Sequence, residues 1–119
     1  MKMNENNAGL AAEKLAATFL SAQGLKLVTQ NYHCRFGEID LIMTNASTLV
    51  FVEVRLRSNQ QFGSAGASIT PQKLQKLMLT AQHYLQQNAE KNACRFDVIL
   101  MDKLELSAIV WLKNALEAG

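Results

Sequence analysis

The sequence predicts an α/β protein in which a mixed central sheet is flanked by helices. Two segments, 8–23 and 70–87, repeat apolar residues at the spacing of a helix. Segments 37–57 and 94–101 are rich in β-branched and other apolar residues, as strands are. The resulting order of helix, strand, hairpin, helix, strand and strand is typical of a sheet covered by helices. With 119 residues, the chain is predicted to form a single domain over 1–119.

The composition is that of a folded protein rather than a disordered or membrane-spanning one. Hydrophobic residues make up 49% of the chain and charged residues 18%. No apolar run approaches the roughly 18 residues that cross a bilayer, and the first residues lack the apolar core of a signal peptide. We therefore expect a cytoplasmic protein without a membrane partner. Cys34 and Cys94 lie in no metal-ligand spacing, which predicts free thiols.

The first predicted helix, 8–23, ends where Gly24 provides the C′ position. Glu13 falls at the border of its apolar face, and two interpretations stay open. The carboxylate is either a solvated residue on the flank of the helix or a further ligand for a metal or a water in the hairpin site. The next segment, 25–31, predicts the first strand, and 32–36 a turn that leads into the hairpin.

Charged side chains are concentrated in the predicted hairpin, residues 37–57. The polar Asn-Ala-Ser at 45–47 separates two segments that alternate polar with apolar residues. Glu38 and Asp40 then share one face of the first strand. The second strand carries charges at every other position, on Glu53, Arg55 and Arg57.

The length of the turn decides whether these two charged faces coincide. A four-residue turn, 45–48, sets Thr44 opposite Leu49 and therefore Asp40 opposite Glu53. A three-residue turn would send Asp40 and Glu53 to opposite faces. In the first register the two carboxylates have Cβ atoms roughly 4.5–5.5 Å apart and repel. We therefore expect Asp40 and Glu53 to bind a divalent cation that prefers oxygen ligands, Mg²⁺ or Mn²⁺.

A segment with only positive charge begins at the end of the hairpin, after Glu53. The sequence has no acidic residue between Glu53 and Glu90. Thr70 and Pro71 open the second helix as its N-cap and first residue, and free backbone N–H groups in this first turn favour an anion. The cations either contact phosphates beside a bound metal or form an ordinary solvated surface. They are Arg55, Arg57, Lys73 and Lys76.

Two further side chains have competing roles. Phe62, in the polar loop 58–68, is a candidate either for stacking on a base or for folding back onto the core. Asp97 interrupts a long apolar strand, and we expect it to form a structural ion pair with Arg95, two residues away on the same face. A last strand is predicted at 106–112.

Motifs spread over roughly residues 8–112 carry a family resemblance. They are Ala12-Glu13, G-E-I-D-L-I at 37–42, F-V-E-V at 51–54, Phe62-Gly63, Lys73 and R-F-D-V-I at 95–99. Asp40 followed by Glu53-Val54-Arg55 resembles the PD-(D/E)XK nuclease motif. The whole set is similar to the YraN-like family, small bacterial proteins with a restriction-endonuclease-like αβββαβ core, related in shape to archaeal Holliday-junction resolvases.

The resemblance implies a Mg²⁺- or Mn²⁺-dependent DNA endonuclease with Asp40 and Glu53 as metal ligands, assisted by Glu13. It also implies DNA, including branched DNA, as the partner, and a homodimer as one form of assembly. The family usually has a lysine where this chain has Arg55. Arginine, with a pKa above about 12, cannot act as a general base. Either the metal alone or Lys73 would then perform the lysine's part.

Three functions are compatible with the sequence. The first is a metal-dependent phosphodiesterase acting on DNA, in which Arg55 and Lys73 hold the phosphate. The second is a nucleic-acid-binding module that has lost hydrolysis through the change to Arg55. The third is a non-enzymatic interaction scaffold, in which Glu38 pairs with Arg55 while Asp40 and Glu53 are solvated at a sheet edge.

Overall fold

The order of helices and strands agrees with the order expected from the sequence. The computed structural model describes residues 4–56, 70–88 and 93–115, with side chains from residue 8 onward. The elements are α1 (Asn4–Ala22), β1 (Lys26–Cys34), β2 (Gly37–Asn45), β3 (Thr48–Leu56), α2 (Pro71–Gln87), β4 (Ala93–Met101), a 3₁₀ turn (Leu106–Ala108) and β5 (Val110–Leu112).

The five strands form one mixed sheet in the order β1-β2-β3-β4-β5. The pairs β1–β2, β2–β3 and β4–β5 are antiparallel, whereas β3 and β4 run parallel. A parallel pair needs a crossover connection, and α2 lies between β3 and β4 in the chain. The predicted α/β class with an αβββαβ core is therefore confirmed.

Each face of the sheet has its own apolar core because side chains alternate along a strand. On one face, Ala12, Ala16 and Leu20 of α1 pack against strand residues such as Val50 and Ile99. On the other face, α2 covers a second set of strand residues. That second core contains Leu77, Ala81 and Tyr84 of α2 with Ile39, Ile42, Leu49, Phe51, Val98 and Leu100 of the sheet.

The helix ends follow from local sequence. Gly24 has a positive φ of 101° at the end of α1. Its N–H donates to Ser21 O at 3.0 Å, and the N–H of Leu25 donates to Leu20 O at 3.1 Å, as in a Schellman motif. At the start of α2, Thr70 Oγ1 accepts a hydrogen bond from the Lys73 N–H at 3.1 Å. Both predicted caps are confirmed. Neither helix carries the long apolar stretch that a bilayer-spanning helix needs.

Three predicted boundaries were wrong. Helix α1 begins at Asn4 rather than at residue 8. Strand β1 extends to Cys34, because its residues continue to pair with β2 through the Tyr32–Ile39 and Cys34–Gly37 pairs. The predicted turn at 32–36 therefore shrinks to Arg35 and Phe36. The predicted strand at 106–112 is shorter, since residues Leu106–Ala108 form a 3₁₀ turn and pairing with β4 covers Val110–Leu112.

Asp97 is fully buried and holds the C-terminal strand in place. The predicted ion pair with Arg95 is confirmed, with Arg95 Nε 3.0 Å from Asp97 Oδ1. Trp111 Nε1 donates to Oδ2 at 2.9 Å, and the Asn114 N–H donates to Oδ1 at 2.8 Å. A buried carboxylate needs such partners, so this one has a structural role. Cys34 and Cys94 are free thiols, as predicted.

Candidate functional site

The β2–β3 hairpin brings two carboxylates close together. Thr44 pairs with Leu49, as the four-residue turn predicted, and the ladder ends at Leu41–Val52. The same register carried one pair further would set Asp40 opposite Glu53. Burial and then the nearby charge of Glu53 raise the pKa of Asp40, so the two carboxylates are neighbours.

Asp40 is partly buried at the point where β2 and β3 begin to separate. Its Oδ2 accepts a hydrogen bond from the Val54 N–H at 2.8 Å. Burial, followed by the charge of Glu53, raises the pKa of Asp40 to about 7, although the Val54 N–H acts in the opposite direction. A cation beside Asp40 would favour its ionised form. The carboxyl is therefore a group whose charge depends on what binds there.

Glu13 brings a third carboxylate to this place from α1. Burial is the largest cause of its raised pKa, and hydrogen bonds with Asn31 and Asp40 lower it in part. These hydrogen bonds leave the buried Oε1 atom itself without a partner among the described residues. Glu13 is thus half-buried and hydrogen-bonded at the edge of α1 rather than fully solvated. Its part as a metal or water ligand stays a prediction.

Asn31, which positions Glu13, was not predicted from the sequence. Its backbone is left-handed, with a φ of 54°, at the point of β1 that faces Asp40 between the Gln30–Leu41 and Tyr32–Ile39 pairs. Non-glycine residues adopt this conformation infrequently, and asparagine is enriched among those that do. The only signal in the sequence was the presence of an asparagine within an apolar strand. Backbone strain of this kind is often found beside functional sites.

Glu53 is buried and paired with two cations. Its exposed fraction is 7%. Lys73 Nζ lies 3.2 Å from Glu53 Oε2, and Arg55 Nε lies 3.5 Å from the same atom. Lys73 comes from the first turn of α2, so the structure brings a residue from another element to the hairpin. The sequence could not show this contact, because it depends on where α2 packs against the sheet.

The contacts of Glu38 correct the scaffold interpretation of the charged face. That interpretation paired Glu38 with Arg55 and left Asp40 and Glu53 solvated. Instead Glu38 Oε1 lies 3.2 Å from His33 Nδ1 at the surface, because the two residues are paired across β1 and β2. Glu53 is buried and Asp40 is partly buried. The physical basis given for the scaffold interpretation was therefore wrong.

Known proteins resemble this chain over most of its length. Residues 12–101 match the sequence model of the uncharacterised protein family UPF0102. The chain belongs to this family. It is 51% identical over 107 residues to a UPF0102 protein of Methylobacillus flagellatus, an alignment that covers 90% of this chain and 94% of the relative. A UPF0102 protein of Legionella pneumophila is 53% identical over 113 residues, with 93% and 95% covered. One from Psychromonas ingrahamii is 48% identical over 112 residues, with 94% and 91% covered.

The family match confirms the YraN-like assignment made from the motifs. The span that matches UPF0102, residues 12–101, contains each candidate site residue. Two predicted residues of this UPF0102 chain, Arg57 and Phe62, lie outside the described residues. The candidates that the structure places around the hairpin are Glu13, Asp40, Glu53, Arg55 and Lys73.

Two open clefts of the UPF0102 chain are lined by acidic residues near the hairpin site, one by Glu38 and the other by Glu13. One, of about 330 Å³, is lined by Gly37, Glu38 and the N-terminal part of α2 with Lys73 and Lys76. The other, of about 360 Å³, lies along α1 and is lined by Leu10, Ala11, Glu13, Lys14 and Gln30. Lys73 and Lys76 thus face the same cleft, as a phosphate role requires.

The carboxylates fit a cation that keeps most of its waters better than one that is fully caged. In residues 4–56, 70–88 and 93–115, no three acidic, histidine or cysteine side chains are close enough to hold a metal ion by themselves. Mg²⁺ is usually bound through one or two carboxylates together with waters and substrate phosphates. Asp40 and Glu53 provide two carboxylates, and the unpartnered Oε1 of Glu13 can accept from a bound water.

Proposed function

We propose that this UPF0102 protein is a metal-dependent phosphodiesterase that acts on DNA, built on a restriction-endonuclease-like frame. One observation carries the proposal. Two neighbouring carboxylates, Asp40 and Glu53, lie beside a lysine whose Nζ is 3.2 Å from Glu53. A partly buried carboxyl whose pKa is raised by burial and by a second carboxylate, near a lysine that lines an open cleft, is typical of a catalytic centre.

Each side chain has a part in this proposal. Asp40 and Glu53 would hold Mg²⁺ or Mn²⁺, which lowers the pKa of a bound water and stabilises charge on the phosphoryl oxygens. Glu13, with its raised pKa and unpartnered Oε1, would accept a proton or hydrogen bond from the attacking water. Lys73 and Arg55 donate hydrogen bonds to the phosphate, and Lys76 binds a phosphate farther along the cleft.

Lys73 supports activity despite the altered motif. The family usually has a lysine at the position of Arg55, and arginine cannot exchange a proton at neutral pH. The ammonium of Lys73 reaches the same carboxylate oxygen as Arg55 does. We infer that Lys73 performs the part that the missing lysine has elsewhere in the family.

Cleavage assays test the proposal. The purified protein is incubated with linear, flapped and four-way-junction DNA in Mg²⁺, in Mn²⁺ and in EDTA. We expect metal-dependent cleavage of at least one branched substrate, and a loss of at least about 100-fold in Asp40→Asn or Lys73→Gln, since each removes a group that acts on the reacting phosphate. Absence of cleavage on all substrates, together with no heat when Mg²⁺ is titrated in, would contradict it.

One observation favours a second function, a nucleic-acid-binding module without hydrolysis. Arg55 and Lys73 already neutralise Glu53, and a metal ion would have to compete with both. The variant Arg55→Lys separates the two functions, because a nearly complete site gains cleavage from it while a binding module does not. In both cases DNA binding should weaken steeply as salt rises, by release of counterions.

A further inference from the structure

A contiguous surface leads away from the carboxylates along α2. Lys73, Lys76, Thr80 and His83 are spaced by three, four and three residues, so they lie on one side of the helix. Thr80 is buried here, and a Cβ built on Gly37 would lie 3.2 Å from its Oγ1 and 3.8 Å from Lys76 Cβ. The β1–β2 turn therefore packs directly on this side of α2.

The β1–β2 turn presents an arginine on a supported aromatic ring. Arg35 Cζ lies 4.9 Å from the centroid of the Phe36 ring. The Phe36 ring contacts His83 at 6.2 Å between centroids and an angle of 67°. His83 is fixed in turn, because the Tyr32 hydroxyl lies 2.5 Å from its Nδ1, and the Tyr32 ring packs edge-on against Tyr84 at 5.2 Å. The guanidinium thus rests on a packed cluster of rings.

The position of Arg35 suits stacking better than an ion pair. Its side chain is exposed, and within the described part of the chain no carboxylate pairs with it. When one face of a planar guanidinium packs on an aromatic ring, its other face is open to solvent. Unpaired bases stack on such planes, on arginine as well as on aromatic side chains.

We propose that this surface binds an unpaired DNA strand next to the cleavage site, with Arg35 stacking on a base. The strand track is defined as Lys73, Lys76, Phe36, His83 and Arg35. From Lys73 to His83 the helix rises about 15 Å, which matches roughly four nucleotides stacked at about 3.4 Å. The proposal rests on the proposed function and specifies its substrate as DNA with a single-stranded arm beside the scissile bond.

Variants at Arg35 test the strand track. Binding of a labelled oligothymidylate and of a blunt duplex is measured by fluorescence anisotropy over a range of salt. Arg35→Lys keeps the positive charge but removes the planar guanidinium on which a base can stack. We therefore expect affinity for the single strand to fall about tenfold, while the slope of log K against log salt stays unchanged. Arg35→Gln removes the charge as well, so it should lower both the affinity for the single strand and the steepness of the salt dependence. Duplex binding should change by less than about twofold in Arg35→Lys.

Two further variants complete the test. Phe36→Leu keeps an apolar side chain but removes the ring under Arg35, and it should also weaken single-strand binding by several-fold. Lys113→Gln is the matched control for Arg35→Gln: Lys113 Nζ lies 4.5 Å from the Trp111 ring centroid, away from the strand track. This control should lose much less affinity for the single strand than Arg35→Gln does.

The outcomes separate this inference from the function on which it rests. If branched DNA is cleaved in a metal-dependent way while Arg35→Lys and Phe36→Leu bind the oligothymidylate like the native protein, the strand track is wrong and the nuclease function stands. If the native protein neither binds nor cleaves any DNA, both are wrong. Selective loss of single-strand affinity in Arg35→Lys, with affinity for the blunt duplex unaffected, supports the track.

Discussion

At the scale of single residues, the site contains residues whose native environment or conformation is unfavourable for folding stability. Asp40 is partly buried beside Glu53, and its pKa is raised because burial and the charge of Glu53 make its ionised form unfavourable there. Glu13 has a buried oxygen without a partner in the described chain, and Asn31 has a left-handed backbone. Folding alone would favour replacing all three, so their presence together is better explained by binding than by stability.

Asp40 should make the protein less stable as the pH rises. Its pKa is about 7 in the folded state, against 3.8 for an unperturbed aspartic acid. The folded state therefore holds this proton more tightly, and the stabilisation that is full below pH 3.8 is lost as pH rises towards 7, at up to about 1.4 kcal/mol per pH unit. In Asp40→Asn this contribution should disappear. The free energy of unfolding in urea, measured between about pH 4 and pH 8, checks it.

The same variant should be more stable than the native protein above pH 7, because its amide oxygen can still accept from the Val54 N–H without carrying a charge. Asp102→Asn, at an exposed carboxyl, is the control and should leave the pH dependence unchanged. An Asp40→Asn profile that follows the native one would show that Asp40 ionises without cost.

Trp111 should contribute to stability mainly through its hydrogen bond to Asp97. Trp111→Phe removes the Nε1 donor at 2.9 Å but keeps an aromatic ring for the edge contact with Phe19. A hydrogen bond to a charged group contributes about 1.5–3 kcal/mol, so we expect a loss of that size in urea unfolding. Phe19→Leu, which removes the ring contact and keeps the hydrogen bond, provides the comparison and should cost less.

At the scale of elements, the hairpin was predictable because its information is local. Alternation along β2 and β3 and the length of the turn determine the register that pairs Thr44 with Leu49 and brings Asp40 near Glu53. Caps at Gly24 and Thr70 were predictable for the same reason. The contact of Lys73 with Glu53 was not, since it depends on where α2 packs. The extra length of β1 was missed because Tyr32 and His33 have no apolar alternation.

The turn of this hairpin offers a simple way to stabilise the protein. Ala46 has a φ of 57°, a left-handed conformation that costs a residue with a Cβ about 1–2 kcal/mol. Glycine adopts it without that cost but loses more entropy on folding, so Ala46→Gly should stabilise by about 0.5–1 kcal/mol. Thermal unfolding measures it.

Ala93→Gly serves as the control for Ala46→Gly. Ala93 is exposed at the start of β4 and has no positive φ. Glycine there gains nothing sterically and should destabilise by roughly 0.5–1 kcal/mol. If both glycine variants shift stability in the same direction, the left-handed turn is not the cause.

At the scale of the whole molecule, the site lies where groups from both helical layers meet in the sheet. Glu13 reaches Asp40 from α1, while Lys73 reaches Glu53 from α2. Binding at this place therefore connects the two layers through β2 and β3. Ligand binding to the folded state alone should then raise the stability of the entire fold by mass action.

Added Mg²⁺ should raise the melting temperature more at pH 8 than at pH 6. Below the pKa of about 7 at Asp40, protons compete with the metal for the carboxylate. At a free concentration of about 100 times Kd the gain is about 2.7 kcal/mol, which corresponds to a shift of several degrees. The melting temperature is compared with that in KCl of equal ionic strength. An equal shift at both pH values, or one retained in Asp40→Asn, would place the metal elsewhere.

The parallel pairing of β3 with β4 affects how the chain folds while it is being synthesised. The pairs run from Thr48–Ala93 to Leu56–Met101, so the outer edge of β3 meets its neighbour 45 residues after it has been synthesised. At about 5–20 residues per second a ribosome needs several seconds for that length. During this interval an apolar strand edge is open to other nascent chains. We therefore expect slower translation between β3 and β4 to increase aggregation of the newly made protein.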